Sequence, residues 1–97
     1  MKTNQDFQLQ RDFGLRIKEL RDGKSMTQED LADRANLFRT YLSRIETGMA
    51  NPSLTVIHGL AKALDLSPGV LLESPTQDLA LSKTRAGVLL SRGRVTR

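Results

Sequence analysis

Ninety-seven residues suffice for one small domain and a tail, with a core so modest that a partner chain is a natural source of further stability. The absence of cysteine excludes disulfides and thiolate metal sites and suits a reducing, cytoplasmic setting. No apolar run nears the roughly 20 residues of a membrane span, and the opening "MKTNQDFQLQ" lacks the apolar stretch of a signal peptide. The net charge of +4 resides in the tail. Residues 1–73 carry ten Lys or Arg against ten Asp or Glu, whereas residues 74–97 carry five against Asp78 alone. Basicity as such therefore says nothing about what the folded part binds, and the placement of individual charges has to.

Phe13, Ile17 and Leu20, spaced by four and three, put one apolar face on a first helix over about 8–23; Leu9 extends it backward, and Gly23 and Ser25 mark its end. Thr27 reads as the N-cap of a second helix, about Thr27–Ala35. Its hydroxyl can accept the Asp30 N–H while the Asp30 carboxylate reaches back, and Met26 and Leu31 stand where a hydrophobic staple closes. Glu29 and Asp30 suit the positive end of the helix dipole. Asn36-Leu37-Phe38 then leaves only three residues before a third helix, about Arg39–Thr47, which buries Leu42 and Ile45 and ends on Gly48. Two helices joined by so short a turn cross steeply, as in a helix-turn-helix.

Ser53 caps a fourth helix with Leu54, Ile57, Ala61 and Leu64 on one face, and Ser67-Pro68 opens a short fifth, about 68–72, weakened by Gly69. No stretch before residue 74 alternates as a strand does, so the fold is all-α. From Thr76 the run "SPTQDLALSKTRAGVLL" offers Leu79, Ala86 and Leu90 to one face of a sixth helix that Gly87 interrupts; a disordered arm fits the same residues. The chain divides into a lead-in over 1–11, a helix-turn-helix domain over 12–73 and a basic C-terminal extension over 74–97.

Function is most legible in "MTQEDLADRANLFRTYLSRIETG". From Arg34 to Ile45 there are three arginines and no acid, in a stretch whose surroundings balance their charges. Arg39 and Thr40 open the third helix and Arg44 lies one turn on. A guanidinium fork pairs bidentately with guanine, the commonest specific contact in the major groove. Tyr41 and Ser43 add hydroxyls for phosphates or bases.

"MTQEDLADRA", "YLSRIETG" and "NPSLTVIHGLAKALDLSPGVLLE" together resemble the phage-repressor/Cro-type (XRE-like) helix-turn-helix family, and within it the short single-domain regulators such as the controller proteins of restriction–modification systems. The resemblance covers about residues 12–73. It implies a compact five-helix bundle that binds double-stranded DNA as a two-fold homodimer. It places base contacts at Arg39, Thr40 and Arg44. It makes Gln28, at the open end of the second helix, a phosphate contact that can also brace the recognition helix. Asn51 matches a phosphate-contacting loop position, although loop asparagines also serve turns. Arg21 and Glu46 match a pair that ties the first helix to the end of the third, a structural role with little net stability. Leu66, Val70 and Leu71, with Leu72, fall where the family makes its dimer interface; packing into the chain's own core is the competing reading.

Two positions depart from the family pattern. Phe38 stands where relatives have a Ser, Asp or Thr cap, and Met49 replaces the basic residue that usually follows the closing glycine, which removes one phosphate contact. Leu37 and Leu42 can staple the helix start in place of the cap. For Phe38 itself, packing on the second helix is favoured over contact with a thymine methyl.

His58 lies on the outer side of the fourth helix, no metal-ligand spacing is present, and the acids are scattered or capping. No catalytic constellation, phosphate loop or cofactor site is implied, so the expectation is not an enzyme. The reading is a sequence-specific regulator of transcription that acts as a homodimer on a near-palindromic operator. The alternative is an antitoxin-like interaction module whose residues 74–97 bind a protein partner. As a third role, the tail can lie as a basic arm on DNA phosphates.

Overall fold

Two Thr-x-x-Asp sequences start the first two helices. In the computed structural model, which describes residues 3–76, Thr3 accepts the Asp6 N–H (3.1 Å) while Asp6 accepts the Thr3 N–H (3.0 Å). Thr27 and Asp30 repeat the exchange at 3.0 Å in both directions. These reciprocal bonds satisfy donors that a helix start otherwise leaves open. They also hold the Asp30 carboxyl below the usual carboxylate range, chiefly through the Thr27 backbone N–H and then its hydroxyl. The helices are α1 (Asn4–Gly23), α2 (Gln28–Ala35), α3 (Arg39–Glu46), α4 (Leu54–Leu64) and α5 (Pro68–Leu71), with no strand among the described residues. None of these helices is long and apolar enough to cross a membrane.

α1 starts four residues earlier than the apolar periodicity predicts. Residues 4–12 offer only Phe7 and Leu9 as large apolar groups, 44 % and 64 % exposed, so no buried face announces the helix there. It is carried instead by its cap and by side-chain pairs along it. Gln8 donates to Asp12 (2.8 Å) and Arg11 to Gln8 (2.9 Å).

The core lies between the helices. Ile17 of α1, Leu31 and Ala32 of α2, Leu42 and Ile45 of α3, Leu60, Ala61 and Leu64 of α4 and Leu71 of α5 are all buried in one cluster, with Met26 closing it. α1 packs on α3 and α5, α2 on α3 and α4, and α4 on α5. Met26 and Leu31, the predicted staple, both belong to this cluster. On α4 the buried face is shifted from the predicted one. Leu60 is fully buried, while Leu54 begins the helix with its side chain 70 % exposed.

The chain reverses at residues that tolerate a left-handed backbone. Ser25 (φ 56°) rather than Gly23 turns the chain after α1, and Asn36 (φ 58°) and Asp65 (φ 59°) end α2 and α4. Gly48 takes φ 81° after α3, with its N–H on the Ile45 carbonyl (3.1 Å) and that of Met49 on the Arg44 carbonyl (2.8 Å). That two-bond closure is the Schellman arrangement, and it leaves no room for a side chain: a Cβ at Gly48 would stand 2.7 Å from Arg11 Cγ.

Gly14 sets how closely α1 approaches α3. A Cβ there would overlap the Ile45 carbonyl oxygen and stand 2.7 Å from that of Glu46, both main-chain atoms that cannot swing aside. Gly14→Ala is therefore expected to destabilise the fold by about 2 kcal/mol or more, the overpacking cost exceeding the up to ~1 kcal/mol that alanine gains in a helix. Gly23→Ala, which meets nothing within 4 Å, is the control and should leave the urea midpoint unchanged or raise it. Equal midpoints for the two variants would contradict the close approach.

Arg16 fastens α5 and the residues that follow it to α1. It is 8 % exposed. Its Nε donates to the Val70 carbonyl, and its two terminal nitrogens pair with Glu19 and Glu73, all at 2.9 Å. Glu19 in turn accepts the Thr76 N–H at 2.8 Å and the Thr76 hydroxyl. The sixth helix, the free arm and the partner-binding tail are expected of residues 74–97, of which 77–97 lie outside the described residues.

Candidate nucleic-acid interface

α3 is held from behind at its C-terminal end and open at its N-terminal end. The turn that aims it is short. Asn36 ends α2 in the left-handed region, the Leu37 N–H bonds back to the Ala32 carbonyl (2.8 Å), and Phe38 is already the N-cap of α3. Leu37 and Leu42 both pack in the core cluster, as a staple requires.

Three contacts from α1 fix the other end. Gly14 lets the helices touch at Ile45 and Glu46. Gln10 Nε2 donates to the Gly48 carbonyl (3.1 Å). Arg21 grips Glu46 with two parallel bonds, Nε to Oε2 at 2.7 Å and Nη2 to Oε1 at 3.0 Å. The pair is almost fully buried, with Arg21 8 % and Glu46 6 % exposed. Arg21 also donates to the Met26 carbonyl (2.7 Å) and lies 3.4 Å from Asp22. Its hydrogen bonds to Glu46 raise the affinity of the guanidinium for its proton, outweighing the opposing effect of burial.

Gln28 connects this buried pair to the open end of α3. Its amide nitrogen donates to Glu46 Oε1 at 3.0 Å. A carboxylate can only accept, so the Gln28 carbonyl oxygen must face the other way, and there it meets Arg39 Nη1 at 3.5 Å. A line of polar contacts thus runs from Arg21 through Glu46 and Gln28 to Arg39. It joins the end of α1, the start of α2 and both ends of α3. Gln28 is half-buried and spends one donor within the molecule.

Arg39, Thr40 and Arg44 are exposed, as expected of groups that reach out from the helix. Arg44 Nη2 rests on the Met49 carbonyl at 3.1 Å. The first turn of α3 contains no acid, and its cap residue provides no side-chain hydrogen bond, so the positive end of the helix dipole faces outward uncompensated. Tyr41 and Ser43 are half-buried, Tyr41 against the core cluster. Asn51 is exposed in the loop between α3 and α4.

Phe38 and Leu71 differ from expectation. Phe38 is 84 % exposed and does not pack on α2, because the turn that seats Leu37 in the core leaves its neighbour pointing outward. Leu71 is fully buried in the chain's own core and has no surface to offer a partner, whereas Leu66 and Val70 are half-buried and Leu72 is 64 % exposed. Met49 is 66 % exposed beside α3, and His58 is exposed on α4. Gly14, Gln10 and Arg16 were not singled out by the sequence. A glycine inside an otherwise helical pattern does signal a close approach, which marks Gly14, whereas nothing local distinguishes Gln10 or Arg16 from solvated polar groups.

Comparison with known proteins agrees with this geometry. A family model described as helix-turn-helix matches residues 17–71. The control protein C.BamHI of Bacillus amyloliquefaciens is 45 % identical over 65 residues, which span 66 % of this chain and 80 % of that protein. The immunity repressor protein of Bacillus phage phi105 is 40 % identical over 63 residues, 65 % of this chain and 44 % of that protein. Among solved structures, the restriction–modification controller protein C.AhdI of Aeromonas hydrophila aligns with a TM-score of 0.62 at 44 % identity, over 63 % of this chain and 92 % of that one. With its fold, its helix pair and more than half of its length matched in this way, the chain belongs to the helix-turn-helix family of DNA-binding transcriptional regulators.

Proposed function

We propose that this protein is a sequence-specific, double-stranded-DNA-binding regulator of transcription that acts as a homodimer on a near-palindromic operator. One observation carries the reading: exposed Arg39, Thr40 and Arg44 project from a helix whose C-terminal end is fastened from behind. Such a helix can enter a major groove leading end first. The leading arginine fork suits guanine O6 and N7, and Thr40 and Arg44 reach adjoining base edges. Gln28 at the start of α2, Tyr41 and Ser43 on α3 and Asn51 in the loop after it suit phosphate contacts that set register without reading sequence. The relatives include a control protein of the restriction–modification kind and a phage repressor, both consistent with such a role. Leu66 and Val70 with exposed Leu72 provide apolar surface at α5 for a second copy.

Selection of bound duplexes from a random pool tests the reading. The expected product is a motif with two inverted halves centred about 10 bp, or a multiple of it, apart. It should be bound by two chains at least about a thousandfold more tightly than unrelated DNA. A pool that fails to enrich at low ionic strength, or one chain bound per site, would contradict it.

A further inference from the structure

We propose that Phe38 is a specificity-determining residue whose ring meets the C5-methyl group of a thymine in each half-site; the proposal rests on the DNA-binding reading above. Phe38 is 84 % exposed, the highest value among the large apolar side chains described. It is also the N-cap of α3, where its side chain makes no hydrogen bond. Serine, threonine, aspartate or asparagine at that position would satisfy an open N–H of the first turn, which phenylalanine leaves to solvent. The position is therefore unfavourable to the free protein twice over, through a bare ring in water and a missing cap. Neither cost is recovered in the core, because Leu37 and Leu42 close the helix start without it.

The location says what can recover it. Phe38 directly precedes Arg39, at the end of α3 that leads into the groove, beside the Arg39–Gln28 contact. A phenyl ring has no donor or acceptor to offer a base edge. The thymine C5-methyl is the apolar feature of the major-groove edges, and cytosine, guanine and adenine present none. An aromatic ring at the leading cap next to a guanine-reading fork thus favours a thymine adjacent to that guanine. It discriminates by apolar contact where its neighbour does so by hydrogen bonds.

The test uses the duplex enriched from the random pool. Each thymine is replaced in turn by 2′-deoxyuridine, which removes the methyl group and leaves base pairing intact. For the full-length protein, one thymine per half-site is expected to respond, its replacement raising Kd about fourfold, the worth of one buried methyl, and about fifteenfold when both half-sites are changed. Phe38→Ser should bind the thymine and uridine duplexes equally at that position. The same variant should also melt at a higher temperature, because serine restores the cap, so its loss of discrimination does not come from unfolding. The proposal is overturned if no uridine substitution affects the unaltered protein, or if Phe38→Ser retains the same response. Selective DNA binding without methyl sensitivity defeats this proposal alone; failure to bind any duplex selectively defeats the DNA-binding reading and this one with it.

Discussion

Glu46→Ala is expected to cost about 3–5 kcal/mol of folding stability, as removal of one partner from a buried ion pair generally does. The cost arises from what remains. Among the described residues, Arg21, 8 % exposed, would keep the Met26 carbonyl and the 3.4 Å approach of Asp22. The amide of Gln28 would lose its acceptor as well. A domain of this size holds about 5–15 kcal/mol of stability in total, so the loss is a large fraction of it. Urea unfolding of the variant measures it. The paired change Arg21→Met with Glu46→Leu should recover most of the loss, because the charge is then removed together with its partner. A loss below about 1 kcal/mol for Glu46→Ala alone would mean that the pair is solvated and does not tie α1 to α3.

Arg39→Ala is the largest expected loss on the DNA side. A bidentate arginine–guanine contact is worth about 1–3 kcal/mol of discrimination, and a dimer makes it twice, so the operator should bind at least about thirtyfold more weakly. Arg39 is exposed, and its side-chain bond among the described residues is the 3.5 Å contact with Gln28, so the melting temperature should not change appreciably. The diagnostic readout is a set of duplexes altered one base pair at a time. The variant should become indifferent at one position per half-site and keep its preference at the others. Arg39→Lys should preserve the salt dependence without restoring that preference, since an ammonium keeps the charge and loses the fork. Equal weakening toward every sequence would assign Arg39 to phosphates instead.

How much of this was legible in the sequence depends on which physical signal each element carries. α2 and α3 were readable nearly to the residue. A Thr-x-x-Asp box, a staple and a closing glycine are local devices, and Thr27, Met26, Leu31 and Gly48 act in the structure as the sequence implied. The same box at Thr3–Asp6 started α1 early. No apolar periodicity follows it there, so the box is the one local signal of that start. The exposed row Arg39, Thr40 and Arg44 was legible because helical spacing places those residues outside the face that Leu42 and Ile45 bury.

What could not be read depends on contacts distant in the chain. That Arg16 should bond to the Val70 carbonyl, or Gln10 to that of Gly48, requires knowing how α1 lies across the bundle. Phe38 departs from expectation for the opposite reason. An apolar residue in a short turn is normally drawn into the core, but here Leu37 occupies the available place. Leu71 belongs to a run of apolar residues that exceeds the needs of the core, and only packing decides which of them are internal.

The central claim is that the leading end of α3 reads base edges from the major groove. Methylation interference on the selected duplex tests it most directly, because methylation of guanine N7 obstructs the major groove and methylation of adenine N3 the minor one. The account predicts two clusters of interfering guanine N7 positions, about 10 bp or a multiple of that apart and related by the symmetry of the site. Interference confined to adenine N3, or none at a duplex that is bound tightly, would contradict it.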